Sequence, residues 1–176
     1  MINPVLEAIR NRRVVRAMTD EPVDRASVET VLDAGRWAPT AGNRHIQRFV
    51  ATTDPTTLRV LRMVSPGMIA RPTAAIVICT DRTLAAEFGF PPDAPGLFVD
   101  VGTAAATMLL AAHSVGVGAG PVTSFSRAAA SVVLRLPDGW VPELILCLGH
   151  PDPIQRLPMA QRRRLRWQDL TRWVPE

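Results

Sequence analysis

The stretch LFVDVGTAAATMLLAAHSVG, residues 97–116, is predicted to form one long helix against which the rest of the chain packs. Its small residues let a second helix approach its backbone closely: Gly102, Ala104, Ala105, Ala106, Ala111 and Ala112. No charged side chain occurs between Asp100 and Arg127, a length that would span a bilayer. However, the apolar part ends at His113–Ser114, and three glycines and Pro121 follow. We therefore expect a core helix that runs into a loop, without membrane association.

Helix and strand patterns alternate on both sides of this segment. Helices are predicted at PVLEAIRNR (4–12, after the N-cap Asn3), after Asp24, at PTTLRVLRMV (55–64) and at SRAAASVVLRL (126–136). Strands are predicted at RFVATT (48–53), AAIVICT (74–80) and PELILCLGHP (142–151), whereas the proline-rich residues 82–97 are expected to be irregular. The alternation favours an α/β or α+β class with a sandwiched sheet, in one domain spanning residues 1–176.

Composition excludes several chemistries. Of the 176 residues, 47% are apolar and 20% are charged, which is ordinary for a soluble globular protein. All 20 basic residues are arginine, so neither a pyridoxal Schiff base nor a P-loop lysine can exist here. Any phosphate must be held by guanidinium groups or by backbone N–H groups. Because codon composition alone explains a lack of lysine, no partner follows from it.

The sequence offers no metal site and no nucleophilic triad. Cys79 and Cys147 are isolated in apolar runs and are expected to be buried free thiols. His45, His113 and His150 lie far apart without carboxylates at ligand spacing. An apolar leader is not expected, because Glu7 and the arginines interrupt the N-terminal segment, and we expect a cytoplasmic protein.

A basic cluster follows the first helix, in RNRRVVRAM (10–18). Arg12, Arg13 and Arg16 would converge on one phosphate with bidentate geometry. A solvated basic face is the plain alternative. A nucleic-acid patch is disfavoured, because no aromatic side chains are interleaved with the arginines.

Three further stretches suggest a ligand. In WAPTAGNRH (37–45), Asn43 offers a carboxamide that can both donate and accept, although the stretch also suits a helix stop and turn. In GVGAGPVTSF (116–125), the glycines follow a helix, so a dinucleotide fingerprint is improbable, yet the loop can present N–H groups to a planar ligand. The tail RRRLRWQDLTRW (162–173) is strongly basic and invites a chemical interpretation, although a frayed basic end is the plain alternative.

Taken together and in this order, the segments resemble the FMN-dependent nitroreductase family. The resemblance is carried by Arg12-Arg13-Val14-Val15-Arg16, Ala38-Pro39-Thr40-Ala41-Gly42-Asn43, the helix from Asp100 to His113, the loop from Gly116 to Phe125, LPDGWVPELILCLGHP and Arg162-Arg163-Arg164-Leu165-Arg166. It implies an α+β fold, namely a three-layer α/β/α sandwich with a mixed, mostly antiparallel central sheet. It also implies an intertwined homodimer with FMN at the interface.

The resemblance assigns a role to each motif. Arg12, Arg13 and Arg16 would hold the FMN phosphate and ribityl chain, with Arg162 and Arg164 closing on the same phosphate. Val14 stands where the family has serine, so its contact would be through the backbone. The remaining contacts with the flavin would come from Pro39, Thr40, Asn43, His45, Pro121, Val122, Thr123 and Ser124.

The implied activity is ping-pong hydride transfer. NADH or NADPH would reduce flavin N5, and a nitroaromatic, quinone, flavin or enone would then be reduced, without a dedicated side-chain acid or base. Two alternatives stay open. One is a specialised flavoenzyme of the same fold, such as an oxidase, a flavin-fragmenting enzyme or a dehalogenase. The other is a non-enzymatic flavin- or nucleic-acid-binding module. The expected partners are a small-molecule acceptor and a second copy of the chain, with no nucleic acid.

Overall fold

The computed structural model describes residues 3–154 and 165–174. Its four named strands form one antiparallel sheet in the order β1-β2-β4-β3. The strands are β1 (Gln47–Thr52), β2 (Ala74–Asp81), β3 (Gly118–Val122) and β4 (Trp140–Gly149). The helices are α1 (Pro4–Asn11), α2 (Arg25–Arg36), α3 (Pro55–Met63), α4 (Arg82–Glu87), α5 (Pro95–Ser114) and α6 (Arg127–Val133), with short 3₁₀ turns at Ala41–Asn43 and Trp167–Leu170.

Helices α1 and α2 begin at the residues that the capping pattern predicted. The side chain of Asn3 accepts hydrogen bonds from the N–H groups of Val5 and Leu6, at 3.0 and 3.2 Å. Asp24 accepts from the N–H of Ser27 at 2.7 Å, and this bond lowers the pKa of its carboxyl group. Both side chains satisfy backbone donors that have no partner within the helix.

The expectation of an irregular segment at residues 82–97 was wrong. Helix α4 occupies Arg82–Glu87, and α5 already begins at Pro95. The carboxylate of Asp81 caps α4 by accepting from the N–H of Leu84 at 3.0 Å. Ala85 of α4 is buried in a small apolar cluster with Ile46, Ala94 and Leu97. Ile46 is far from α4 in the sequence, so the proline content of residues 82–97 could not indicate this contact.

The sheet is covered by helices on both faces, which confirms the three-layer sandwich. Alternate residues of β2 point to opposite sides, as they do in any strand. One face packs with α2 and α5 and comprises Ala74, Ile76, Ile78, Ala119, Leu146 and Leu148. The other face packs with α3 and α6 and comprises Ala75, Val77, Cys79, Val122, Ile145 and Cys147. Among the described residues, the parallel pairing consists of one isolated bridge, between Val14 and Ala119.

Helix α5 is the core helix that its sequence predicted. It has the length and composition of a membrane span, but it packs against α2 and the sheet and buries Val101, Ala104, Met108 and the carboxylate-bearing Asp100. Gly35 of α2 provides the close approach, because a Cβ at this position would lie 2.1 Å from the Met108 methyl carbon. Of the small residues predicted to permit a close approach, Ala104, Ala105 and Ala112 are buried, whereas Gly102 and Ala106 are exposed, and the glycine in the contact belongs to α2.

A buried carboxylate lies on the opposite face of the sheet. The side chain of Glu143 in β4 is only 1% exposed, and Arg82 Nη2 donates to its Oε1 at 2.5 Å. Arg127 Nη2 lies 2.6 Å from Oε2 without forming a hydrogen bond, so this contact is an ion pair. Arg82 also donates to the carbonyl of Pro92. The cluster joins α4, α6 and the loop before α5 to the sheet.

Candidate functional site

The arginine motif lies beside the last strand of the sheet. We call residues Arg12–Arg16 the Arg segment; it leaves α1 and runs along β3. Val14 forms a parallel bridge with Ala119, and the Val15 N–H donates to the Ala119 carbonyl at 2.9 Å. The backbone contact places the Arg segment at the edge of the sheet, beside β3, which occupies Gly118–Val122 where the sequence analysis expected a loop.

A glycine makes this close contact possible. A Cβ at Gly120 would lie 2.5 Å from the Val15 carbonyl oxygen, closer than nonbonded atoms can approach. Gly118 is similarly crowded, since its Cβ would lie 2.9 Å from the Val15 side chain. The glycines of GVGAGPVTSF therefore serve the approach of the Arg segment.

We expect Gly120→Ala to displace the Arg segment from β3 and to lower the free energy of unfolding by about 1–3 kcal/mol, the usual cost of overpacking. Urea denaturation measures the loss, and faster hydrogen exchange at the Val15 amide would locate it. Gly102→Ala is the matched control, because open space surrounds Gly102 on the exposed face of α5. Gly102→Ala should keep or slightly raise the stability, because alanine is favoured over glycine within a helix. If Gly120→Ala keeps the parent's stability and the parent's exchange rate at Val15, the close packing of the Arg segment on β3 is refuted.

The three arginines differ in what they contact. Arg12 is partly buried, and its Nη1 has no hydrogen-bond partner among residues 3–154 and 165–174 although it is shielded from solvent. Arg13 turns back and donates to the carbonyl groups of Arg10 and Arg12. Arg16 is exposed and forms no ion pair with the residues that the structure describes. Because an unpaired donor that is shielded from water is costly, Arg12 Nη1 is a candidate donor to an acceptor outside the described chain.

A second group of donors follows β3. We call residues Pro121–Ser124 the Ser124 loop. Val122 is buried, whereas Thr123 and Ser124 are exposed. Their N–H groups donate no hydrogen bond to any residue of 3–154 or 165–174. Two amide donors without a partner among the described residues thus directly follow β3, the strand beside which the Arg segment lies.

A third segment, which the sequence did not indicate as functional, borders this region. Arg16, Gly67, Ile69, Pro121 and Val122 line one narrow slot. The N–H of Gly67 donates to the Ser124 carbonyl at 2.9 Å, which holds residues 65–70 against the Ser124 loop. The Pro66-Gly67 turn before β2 was the available signal, but a turn alone does not show what it contacts.

The loop of WAPTAGNRH is held in place by α5. We call residues Pro39–His45 the Asn43 loop. The carboxylate of Asp100 accepts from the Ala41 N–H at 3.0 and 3.2 Å, and Thr103 Oγ1 donates to the Pro39 carbonyl at 3.0 Å. At its end, His45 Nε2 lies 2.8 Å from Asn43 Oδ1.

Two residues of the Asn43 loop other than glycine adopt a left-handed backbone conformation. Asn43 and His45 have φ values of +55° and +48°, in the left-handed region that most residues avoid. The His45 N–H donates to Thr40 Oγ1 at 3.2 Å, which stabilises this conformation. Both Asn43 and His45 are exposed, so their side chains are accessible to a ligand.

The structure brings some of the predicted residues together and separates others. The Arg segment and the Ser124 loop adjoin at β3, whereas the Asn43 loop precedes β1, at the opposite edge of the sheet. With strands ~4.8 Å apart, the two edges are separated by roughly 14 Å. Arg162 and Arg164 lie outside the described residues.

Neither thiol contributes reactive chemistry. Burial raises the pKa of Cys147, which borders the slot, to about 12. Burial and the nearby Glu143 carboxylate raise the pKa of Cys79 to about 12. Both cysteines are buried free thiols, as predicted, and stay protonated at neutral pH. Within residues 3–154 and 165–174, no three His, Cys, Asp or Glu side chains cluster as metal ligands would.

Comparison with known proteins identifies the class. The model of the nitroreductase family matches residues 9–86 and 63–150. A protein of Methanothermobacter thermautotrophicus assigned as an NADH dehydrogenase/NAD(P)H nitroreductase is 30% identical over 159 residues, covering 84% of this chain and 77% of the relative. The chain therefore belongs to the nitroreductase family, and it is an oxidoreductase of that family.

Two further similarities concern the flavin. The NADPH-flavin oxidoreductase of Vibrio harveyi is 29% identical over 163 residues, covering 86% of this chain and 67% of that protein. A Desulfovibrio desulfuricans protein assigned as a nitroreductase, solved in complex with FMN, superposes with a TM-score of 0.78 at 27% identity, covering 99% of both chains.

Proposed function

We propose that this protein is an FMN-dependent NAD(P)H oxidoreductase that reduces a nitroaromatic, a quinone or a similar acceptor by a ping-pong mechanism. The observation that carries the proposal is the unpaired, buried Nη1 of Arg12 beside the exposed Arg16 and the free N–H groups of the Ser124 loop. Guanidinium and backbone N–H donors of this kind bind anionic groups such as phosphate. When bound, FMN supplies the two-electron chemistry.

The Arg segment would hold the FMN phosphate. Arg12 and Arg16 offer guanidinium groups that bind a phosphate in two places at once. Arg13 would need to release its contacts with the Arg10 and Arg12 carbonyls before it could join them. Val14 can contribute only backbone atoms, and its pairing with Ala119 sets their direction. Arg162 and Arg164 are proposed to complete the phosphate site.

The Ser124 loop would lie along the flavin ring. Pro121 and Val122 present apolar surface, and the N–H groups of Thr123 and Ser124 supply donors for ring heteroatoms. Preorganised donors of this kind stabilise negative charge at little cost, because they need no reorientation. No side-chain acid or base is required for hydride transfer, and the protein's role is to bind and orient.

The separation of the two ligand-binding groups supports a homodimer. In a single chain the Asn43 loop precedes β1, whereas the Arg segment lies beside β3, at the opposite edge of the sheet. A second copy could bring its Pro39, Thr40, Asn43 and His45 to the ring edge. The exposed apolar residues of α1 support such an interface, since Val5, Leu6 and Ile9 lie open to solvent in one chain.

A cytoplasmic location would suit the NAD(P)H donor.

The test is the visible absorbance spectrum of the purified protein without oxygen, before and after adding NADH and then NADPH. We expect a bound flavin band that bleaches with one or both donors and returns when a quinone is added. Sedimentation of the same sample should show twice the mass of one chain. A flavin band that neither donor bleaches would point to a specialised flavoenzyme, and no band after incubation with FMN would refute the proposal. A monomer that still holds FMN would refute the interface.

A further inference from the structure

A groove of about 570 Å³ lies away from the candidate site, between α3, the segment before α2 and the start of β2. It is lined by Asp20, Pro22, Thr53, Pro55, Leu58, Arg59, Arg62, Met63, Arg71, Pro72 and Thr73. None of these belongs to the Arg segment, the Ser124 loop or the Asn43 loop. Its volume falls in the range of small-molecule sites, which is roughly 300–1,000 Å³.

The charges around the groove are unbalanced. Arg59, Arg62 and Arg71 are all exposed, and none forms an ion pair or a hydrogen bond with the residues that the structure describes. Among the lining residues, Asp20 supplies the one carboxylate. By contrast, Arg25, Arg36, Arg48, Arg82 and Arg127 each pair with an acid elsewhere in the fold. The three guanidinium groups are thus available to an anion.

Most of the remaining lining is apolar, and one wall is held in place by hydrogen bonds. Leu58 and three prolines supply hydrocarbon surface, and Met63 is 79% exposed at the rim. Thr73 holds the wall in place: its Oγ1 donates to the Glu21 carbonyl at 3.1 Å and accepts from the Val23 N–H at 3.2 Å. A preformed wall reduces the entropy lost on binding.

We infer that this groove binds a small organic oxyanion, in which a carboxylate or phosphate pairs with Arg59, Arg62 and Arg71 and an apolar body rests on Leu58 and Met63. Guanidinium forks match both oxyanions in geometry. A nucleic-acid strand fits less well, because no aromatic side chain lines the groove for base stacking. The chain's own basic tail, residues 162–173, also fits less well, because its arginines would be repelled by Arg59, Arg62 and Arg71.

Methyl-¹³C methionine NMR of the full chain tests the inference, because Met63 is at the rim. Met63→Leu assigns the resonance. Phenyl phosphate and benzoate are the probes, and benzyl alcohol is their neutral counterpart. We expect either oxyanion to shift the Met63 signal saturably at fixed ionic strength, with benzyl alcohol at least about 10-fold weaker, as the loss of a charged hydrogen bond predicts. The stronger of the two probes identifies the preferred head group.

Arg59→Ala/Arg62→Ala should weaken binding about 10-fold or more, since two charge-assisted contacts are removed. Arg25→Ala removes an exposed arginine outside the groove and should leave binding unchanged, as should Arg12→Ala, which affects the proposed flavin site. The inference is overturned if neither oxyanion shifts Met63 saturably, or if the double variant binds as the parent does. It is equally overturned if the Met63 signal shifts with protein concentration alone, because a second copy then covers the groove.

Discussion

Replacing Arg12 by alanine is expected to weaken FMN binding by about 10- to 100-fold, because the FMN phosphate would lose a charged hydrogen-bond donor of its proposed site. Arg12 Nη1 is shielded from water and has no hydrogen-bond partner, so nothing in the described chain offsets its desolvation. Arg12→Lys should recover only part of the affinity, since an ammonium group keeps the charge but lacks the planar fork. Quenching of flavin fluorescence on titration with the apoprotein measures the dissociation constants.

Arg10→Ala is the matched control for this prediction. Arg10 lies in the same basic cluster and is exposed on the last turn of α1, so its removal changes the net charge equally. We expect FMN binding to change by less than about 3-fold, because an exposed charge that does not contact the phosphate is screened by salt. If Arg10→Ala and Arg12→Ala weaken binding equally, the cluster acts as a diffuse positive field and the assignment of Arg12 fails. Thermal denaturation of both variants checks that the fold is intact.

Replacing Glu143 by alanine should lower the free energy of unfolding by about 3–5 kcal/mol, the usual result of breaking a buried ion pair from one side. The substitution leaves Arg82 without its carboxylate partner, and the Arg82 side chain is only 20% exposed. It also removes the partner of Arg127, although that side chain is half exposed and can be hydrated. Urea denaturation followed by circular dichroism measures the change.

Glu29→Ala provides the surface counterpart. The pair of Arg25 and Glu29 is exposed on α2 and should contribute no more than about 0.5 kcal/mol. A loss below about 1 kcal/mol for Glu143→Ala, comparable to that for Glu29→Ala, would contradict the ionic role of the cluster. The isosteric Glu143→Gln keeps the side-chain shape and one acceptor but removes the charge. The loss of unfolding free energy that it shares with Glu143→Ala therefore measures the contribution of the charge.

Local patterns were sufficient for most of the secondary structure. The side chains of Asn3 and Asp24 cap α1 and α2 because capping depends on residues within one turn. The buried strand β2 was evident from AAIVICT, because an apolar run that is buried on both faces needs no alternation. The long helix α5 followed equally from its own composition. The family was likewise evident from the order of its motifs.

Contacts between distant residues were not predictable in this way. Helix α4 is stabilised by the burial of Ala85 against Ile46 and Leu97, which no window of local sequence contains. Glu143 meets Arg82 and Arg127 only after β4 has paired with β2 and α6 has packed on the sheet. The groove at Arg59, Arg62 and Arg71 likewise combines three segments.

Local patterns therefore indicated most of the elements, the family and the chemical character of the candidate site, since caps, apolar periodicity and arginine content act over a few residues, but they missed α4 and β3. Tertiary structure decided which functional residues meet. Gly120 brings the Arg segment against β3, and the pairing of β1 at the far edge separates the Asn43 loop from it. The physical reason is that strand order and close backbone approach depend on packing across the whole sheet, which no local pattern encodes.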